Sequence, residues 1–204
     1  MWENSERRQL ERQRRSEGRL PPGQSLTLKW PVLQYGGVPR FDPAAWDFRI
    51  TGLVEKPLRL SWEEFRRLPQ TEVVADMHCV TRWSRFDNRW KGVLFAEVMK
   101  LVEAKPEARF ALLHDGQNYT TNVPLADLSR PNVLFALEHD GEPLAAEHGG
   151  PVRLVVPHRM HGKASSGCAG SSCSPKTNPA SGSRTATTST ATPSKSRGIR
   201  AKSV

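Results

Sequence analysis

No run of about 18 apolar residues occurs in the 204-residue chain, which excludes a membrane-spanning helix. Cysteine is scarce, and of the three present only Cys79 precedes residue 158, so the chain is not a disulfide-dense secreted scaffold. From Arg159 to Val204 acidic residues are lacking altogether, against eight Lys and Arg. The formal net charge of +9 therefore divides into a nearly neutral body, with 22 basic and 21 acidic groups, and a tail of +8. Such an excess ordinarily points to nucleic acid or an anionic surface. Here it belongs to the tail, and the body gives no such signal.

Two Arg-Arg pairs lie in Met1–Arg19 (MWENSERRQLERQRRSEGR). An export signal of the twin-arginine kind needs an apolar stretch after them, and Leu20-Pro21-Pro22-Gly23 follows instead. With four Glu among six Arg, the segment reads as a solvated polar arm or frayed helix, and a cytoplasmic location is expected. The expected organisation is a polar arm over 1–23, a mixed α and β domain over 24–158, and a low-complexity basic tail over 159–204.

Within the body, Trp46–Val54 alternates like a strand before Glu55-Lys56-Pro57 breaks it. Ser61-Trp62-Glu63-Glu64 has the spacing of a capping box, predicting a short helix through Phe65–Leu68 that Pro69 stops. Thr71–Val80 reads as the next strand, followed by a polar, Arg-rich loop. Gly92–Val102 places Val93, Leu94, Val98, Leu101 and Val102 at helical spacing. Asp115-Gly116 and Asp140-Gly141 are turn signals after the strand-like runs ARFALL and NVLFALEH, and Pro151–Pro157 is the last expected strand.

Cys79 sits in Asp76-Met77-His78-Cys79-Val80-Thr81-Arg82-Trp83-Ser84, where a strand gives way to the polar loop. Three readings compete. A buried structural thiol needs no polar neighbours. A hydrolase nucleophile needs a base, which His114, His148 or His158 could supply. A metal ligand acts as a thiolate, favoured by cations such as Arg82 and Arg85 and by a soft metal.

Several motifs together carry a resemblance. His78-Cys79-Val80-Thr81-Arg82-Trp83-Ser84, followed by Trp90-Lys91-Gly92-Val93, resembles the sulfite oxidase-like molybdopterin oxidoreductases. Within them it resembles bacterial members related to the protein-methionine-sulfoxide reductase catalytic subunit. Phe48–Val54, Tyr119–Leu125, Glu138–Leu144 and His148–Pro157 agree in order, over about Ser25 to His158. The resemblance implies an α+β, mixed-sheet molybdopterin-binding fold with the molybdenum–molybdopterin cofactor (Mo-MPT), its metal bound by Cys79. A soft thiolate stabilises a high-valent metal while leaving a position open. It also implies that His148 and Arg153 contact the pterin or its phosphate, a guanidinium fork suiting that anion; the competing reading of Arg153 is a strand-edge ion pair. His114 joins them as a cofactor-binding candidate, against the reading of a solvated turn residue.

The implied activity is oxygen-atom transfer at the cysteine-ligated metal, on a small-molecule substrate or an oxidised sulfur group. Electrons would pass to or from a separate transfer partner. Neither the substrate nor the direction follows from the residues.

The resemblance also implies a continuation that Arg159–Val204 does not supply: 11 Ser, six Thr and six Ala offer no apolar pattern for a sheet. Codons can be chosen from Gly162 onward so that a frame beginning at the third base reads KSVKWVRGIELLAEDKPGFWE, which resembles the missing segment. The tail is therefore expected to be out of frame and the pterin site incomplete. The alternatives are a non-enzymatic truncated fragment and a nucleic-acid-binding module acting through the basic tail, for which partner the neutral body gives little support. A zinc site from Cys168, Cys173 and His161 has no knuckle scaffold to support it.

Overall fold

The computed structural model of the chain describes residues 2–32, 38, 40–114 and 120–160 and the backbone of 176–177. Two sheets carry the fold. The first contains six strands: β1 (Ser25–Leu26), β4 (Gln70–His78), β5 (Trp83–Leu94), β8 (Leu134–His139), β9 (Glu142–Pro143) and β10 (Arg153–Val155). Its path runs β1-β5-β8-β10, with β4 paired to β5 and β9 to β8. The second runs β3 (Leu58–Ser61), β2 (Asp47–Gly52), β11 (Lys176–Thr177), β6 (Phe110–His114) and β7 (Thr120–Pro124). β1 is parallel to β5 and β11 to β2, while the other pairings are antiparallel, which makes the expected mixed sheet.

β8 is buried at Leu134, Phe135, Ala136 and Leu137, as suits a strand covered on both faces. Phe135 and Leu137 join one cluster with Phe48, Phe65, Phe95 and Leu154. Leu134 and Ala136 join another with Met77, Trp90, Leu144 and Val155, against which Trp30 and Trp83 pack.

Local chemistry sets the short elements. Ser61 Oγ accepts from the Glu64 amide at 3.3 Å and Glu64 Oε2 accepts from the Ser61 amide at 2.8 Å, the expected capping box, opening α2 (Trp62–Arg66). Asp140 (φ 52°) and Gly141 (φ 89°) form the tight turn between β8 and β9, a backbone demand that Asp-Gly meets cheaply. The Asp115-Gly116 turn lies outside the described residues, but β6 and β7 pair His114 with Thr120 around it.

Three expectations are corrected. The Arg-rich stretch after Cys79 is no loop: β5 is the longest strand, and it buries Ser84 and Asn88 as well as Trp90. Buried polar residues with satisfied hydrogen bonds break the apolar alternation by which a strand is read. The expected helix over Gly92–Val102 begins later, as α3 (Phe95–Met99), because Gly92 to Leu94 still pair with Ala136 to Leu134. A side chain at Gly92 would place its Cβ 2.1 Å from the Phe135 carbonyl oxygen, so glycine permits this close strand approach. Lys176–Thr177, in the tail read as unable to add to a sheet, lies between β2 and β6 as β11. Pairing there uses backbone groups, which low-complexity composition does not remove.

The N-terminal arm forms α1 (Trp2–Ser16), with Arg7, Arg15 and Glu11 and the Arg14–Glu17 pair linking successive turns. It is more than solvated. Arg14 reaches Asp87 at 2.8 Å, Arg19 reaches Asp76 and Asp87 at 2.6 Å each, and Leu20 is buried.

Candidate functional site

Cys79 closes β4 at the entrance to a tight turn. Its amide donates to the Trp83 carbonyl at 2.8 Å, and the Arg82 amide donates back to the Cys79 carbonyl at 3.0 Å. Arg82 takes a left-handed φ of 69° to complete the turn. Val80, Thr81 and Arg82 are exposed while Cys79 is buried, its Sγ 3.1 Å from the Thr81 hydroxyl.

Arg153 comes from the first residue of β10, opposite Ala136. It is buried, yet its Nη1 donates to the His148 carbonyl at 2.8 Å and its guanidinium lies 5.2 Å from the Trp30 ring centroid. Burial lowers its pKa to about 10, with the Cys79 sulfur acting in the opposite direction, so the group remains cationic at neutral pH. Arg153 is the one cation buried among the described residues, and its charge interacts with Cys79. Arg82 lies exposed, and Arg85 is engaged by His139, Asn88 and Asp140.

His148 ends a 3-10 turn (Ala146–His148), and its imidazole stacks on Trp30 with centroids 4.0 Å apart and planes 9° from parallel. The return to β10 is tight: a Cβ on Gly150 would lie 2.1 Å from the Leu144 carbonyl oxygen. Burial lowers the His148 pKa, with Glu147 opposing and Arg153 and Arg85 reinforcing. His139, at the end of β8, completes the aromatic group, 4.5 Å from both Trp30 and Trp90. Burial takes its pKa to about 4 against the pull of Asp140, and its Nε2 lies 3.0 Å from Arg85 Nη1 and 3.1 Å from Asn88 Oδ1. It is neutral at physiological pH.

The structure thus brings Cys79, His148 and Arg153 to the side of the six-stranded sheet that carries Met77, Ala136 and Trp30. His114 stands in the other sheet, at the end of β6. His158 lies 3.5 Å from Asp127, and the hydrogen bond of Cys79 Sγ goes to Thr81 rather than to an imidazole. The hydrolase geometry is thus not formed there. Sequence reading missed Trp30 and His139, and it named Arg85 only as a cation favouring the Cys79 thiolate: the three are far apart in the chain, and a lone Trp before a proline or a His before a turn has an ordinary structural meaning. Cys168, Cys173 and His161 lie outside the described residues.

This donor set suits an anion that brings its metal with its own ligands. It offers one buried thiol, one buried cation and two imidazoles beside an indole. Among the described residues no group of three or more His, Cys, Asp or Glu is placed to hold a bare metal ion.

Residues 35–165 match the family model described as the oxidoreductase molybdopterin binding domain. The chain is 43% identical over 148 residues to the uncharacterized oxidoreductase YuiH of Bacillus subtilis (strain 168), covering 72% of this chain and 75% of that protein. It is 33% identical over 135 residues to the protein-methionine-sulfoxide reductase catalytic subunit MsrP of Gluconobacter oxydans (strain 621H), covering 57% of this chain and 43% of MsrP. In structure it resembles the sulfane dehydrogenase SoxCD of Paracoccus pantotrophus, with a TM-score of 0.60 and 22% identity, over 72% of this chain and 42% of that one. The fold is the sulfite oxidase-type molybdopterin-binding fold. The chain spans less than half the length of the latter two proteins.

Proposed function

This chain belongs to the oxidoreductase molybdopterin binding domain family, and from that premise we propose that it holds a molybdenum–molybdopterin cofactor with Cys79 as the protein ligand to the metal. The observation that carries the reading is the convergence of Cys79 and buried, cationic Arg153 from distant parts of the chain onto one sheet face. Bound there, the cofactor would supply two-electron oxygen-atom transfer to or from a small molecule or an oxidised sulfur group, with single electrons exchanged with a separate partner protein.

The chain's own residues do the binding and orienting. Arg153 presents a fixed guanidinium to the pterin phosphate, its position set by the His148 carbonyl. Trp30, stacked on His148, walls the site on one side and limits water. His139 is held neutral by burial and lies beside Arg85 and Asn88, so it packs against that cation without adding charge. The Cys79 amide is tied to Trp83, which fixes the backbone from which the sulfur projects. His114, at the end of β6 in the other sheet, stays in this proposal as a cofactor-contact candidate.

Among the described residues no helix is long and apolar enough to cross a membrane. A cytoplasmic location is part of the proposal, as is the out-of-frame origin of residues 159–204. The nucleotide sequence around codons 157–163 tests the latter directly: a gained or lost base restores the family segment, and codons unable to encode it refute the idea.

The chain purified from a molybdopterin-producing host is expected to carry molybdenum and pterin in near-equal amounts, by elemental analysis and pterin fluorescence. Cys79→Ser should lose most of the metal with its fold intact by circular dichroism. Wild-type protein free of both would leave the chain as a non-enzymatic fragment of the family.

A further inference from the structure

The N-terminal arm ends in direct contact with the cysteine turn. Gln24 is buried; its Nε2 donates to the Cys79 carbonyl at 3.0 Å, and its Oε1 accepts from Ser84 Oγ at 3.2 Å. Because the Ser84 proton is used there, the 2.8 Å bond between Ser84 Oγ and His78 Nδ1 has the imidazole as donor. His78 and Ser84 flank the turn, as the last residue of β4 and the second of β5. One side chain thus closes a hydrogen-bonded ring around Cys79 from outside the turn.

The backbone on either side of Gln24 is fixed as well. The Ser25 amide donates to the Arg82 carbonyl at 3.1 Å and the Thr27 amide to the Ser84 carbonyl at 2.9 Å, giving the parallel pairing of β1 with the start of β5. Arg15 reaches the Gln24 carbonyl at 3.2 Å. Arg19 grips Asp76 through Nε and Nη2, at 2.9 and 2.6 Å, and bridges to Asp87. Burial alone would raise the Asp76 carboxyl, but the Arg19 hydrogen bonds and charge hold it below the usual range. These anchors lie on both strands that the cysteine turn joins.

The turn itself needs such support. Arg82 is a non-glycine residue in the left-handed region, a conformation that persists where its surroundings over-determine it. Within the turn, the Cys79 and Arg82 amides supply two hydrogen bonds; the arm adds a second donor to the Cys79 carbonyl and two, the Ser25 amide and hydroxyl, to the Arg82 carbonyl.

We propose that Gln24 is a positioning residue for Cys79, and that Arg19–Thr27 acts as a clamp fixing the strained Cys79–Trp83 turn so that the sulfur stays set against Arg153. Its functional meaning rests on the reading of Cys79 as a metal ligand. Its physical content is present in the chain without cofactor. The Arg-rich arm, read from composition as solvated, thereby becomes part of the site.

The test uses the full-length chain from a host that makes no molybdopterin. Cys79 alkylation by iodoacetamide is followed by peptide mass spectrometry, which separates it from Cys168 and Cys173, together with amide exchange at Arg82. Gln24→Met keeps the volume and removes both side-chain hydrogen bonds. It is expected to accelerate Cys79 alkylation and Arg82 exchange about tenfold, through local opening, beyond any change that the urea midpoint accounts for. Gln24→Glu should do the same, since a carboxylate keeps the acceptor for Ser84 but cannot donate to the Cys79 carbonyl. Wild-type rates in both variants, or increases that only track global stability, overturn the proposal.

If Gln24→Met does not fold, Arg19→Gln severs the anchor while leaving Gln24 in place, and at least a threefold acceleration is expected; a wild-type rate overturns the clamp. Molybdenum content of the wild-type chain from a cofactor-producing host is measured separately. Metal-free wild type with accelerated labelling in Gln24→Met refutes the cofactor reading and leaves the clamp standing.

Discussion

Both faces of β8, at the centre of the six-stranded sheet, are buried, and they are built from opposite materials. On one face Phe135 meets Phe48, Phe65 and Phe95, at centroid distances of 5.0, 6.2 and 6.0 Å. On the other, one residue away along the same strand, Ala136 and Leu134 lie in the cluster that carries Trp90 and Trp30, and beyond it stand His139, His148 and Arg153. The first face is held by area and shape alone, while the second must also satisfy every polar atom it buries. The large apolar rings are concentrated on the first face and the polar groups of the proposed site on the second.

The sharpest way to break that contrast is Phe135→Ala. It removes the ring that three other phenylalanines contact, on a strand that cannot collapse without dragging both faces. A loss of about 3–5 kcal/mol is expected, as for other buried aromatic truncations, read as a fall in the urea midpoint. A loss below about 1 kcal/mol would mean that the first face is not the mechanical core.

On the second face the matching experiment is a pH series. The His139 pKa falls from 6.5 to about 4 on folding, chiefly through burial, so the unfolded chain binds a proton that the folded chain refuses. Stability is therefore fully present above pH 6.5 and is lost as pH falls from 6.5 toward 4, by about 2–3 kcal/mol in all for a shift of this size. His78 and His148 are shifted in the same direction by burial and add to the slope. The carboxyls of Asp76 and Asp140, held below the usual carboxylate range, act mainly at lower pH. Chemical denaturation between pH 7 and pH 4 should show a shallower loss in His139→Gln than in wild type. Equal slopes would remove His139 as the main titrating group of that face.

This division explains what the sequence made legible. The first face was readable: Phe48 and Ile50 alternate with Arg49, and Ser61 and Glu64 announce the start of α2. Asp140-Gly141 stood out because the turn needs two positive φ values. The second face hid itself. Ser84 and Asn88 point inward on β5 and make it look like a polar loop, and Val93 and Leu94 mimic a helix that begins only at Phe95. Cys79, His148 and Arg153 were named as candidates through family resemblance rather than periodicity. Trp30, Arg85 and His139 act through contacts between distant segments, and Gln24 does so through a strand of two residues, for which no local pattern exists. His114 was named beside the other three, and only the fold shows that it belongs to a different sheet.

The smallest expected stability effect carries the most information about the contrast. Arg153 is buried as deeply as the core leucines, so a purely structural reading predicts a severe loss on its removal. Yet a buried guanidinium has been stripped of water, and its hydrogen bond to the His148 carbonyl offsets only part of that cost. Replacing it with methionine preserves most of the volume and relieves the desolvation, while leaving the His148 carbonyl to find another donor. Arg153→Met is therefore expected to shift stability by no more than about 1 kcal/mol in either direction, because these two terms oppose each other. If the proposed function holds, the same variant should lose the pterin and molybdenum expected of the wild type, since Arg153 is the one buried cation among the described residues. Urea denaturation and elemental analysis on one preparation separate the two outcomes. A large destabilisation with the cofactor retained would place Arg153 with Phe135 among the residues that hold the fold, and would erase the distinction between the faces.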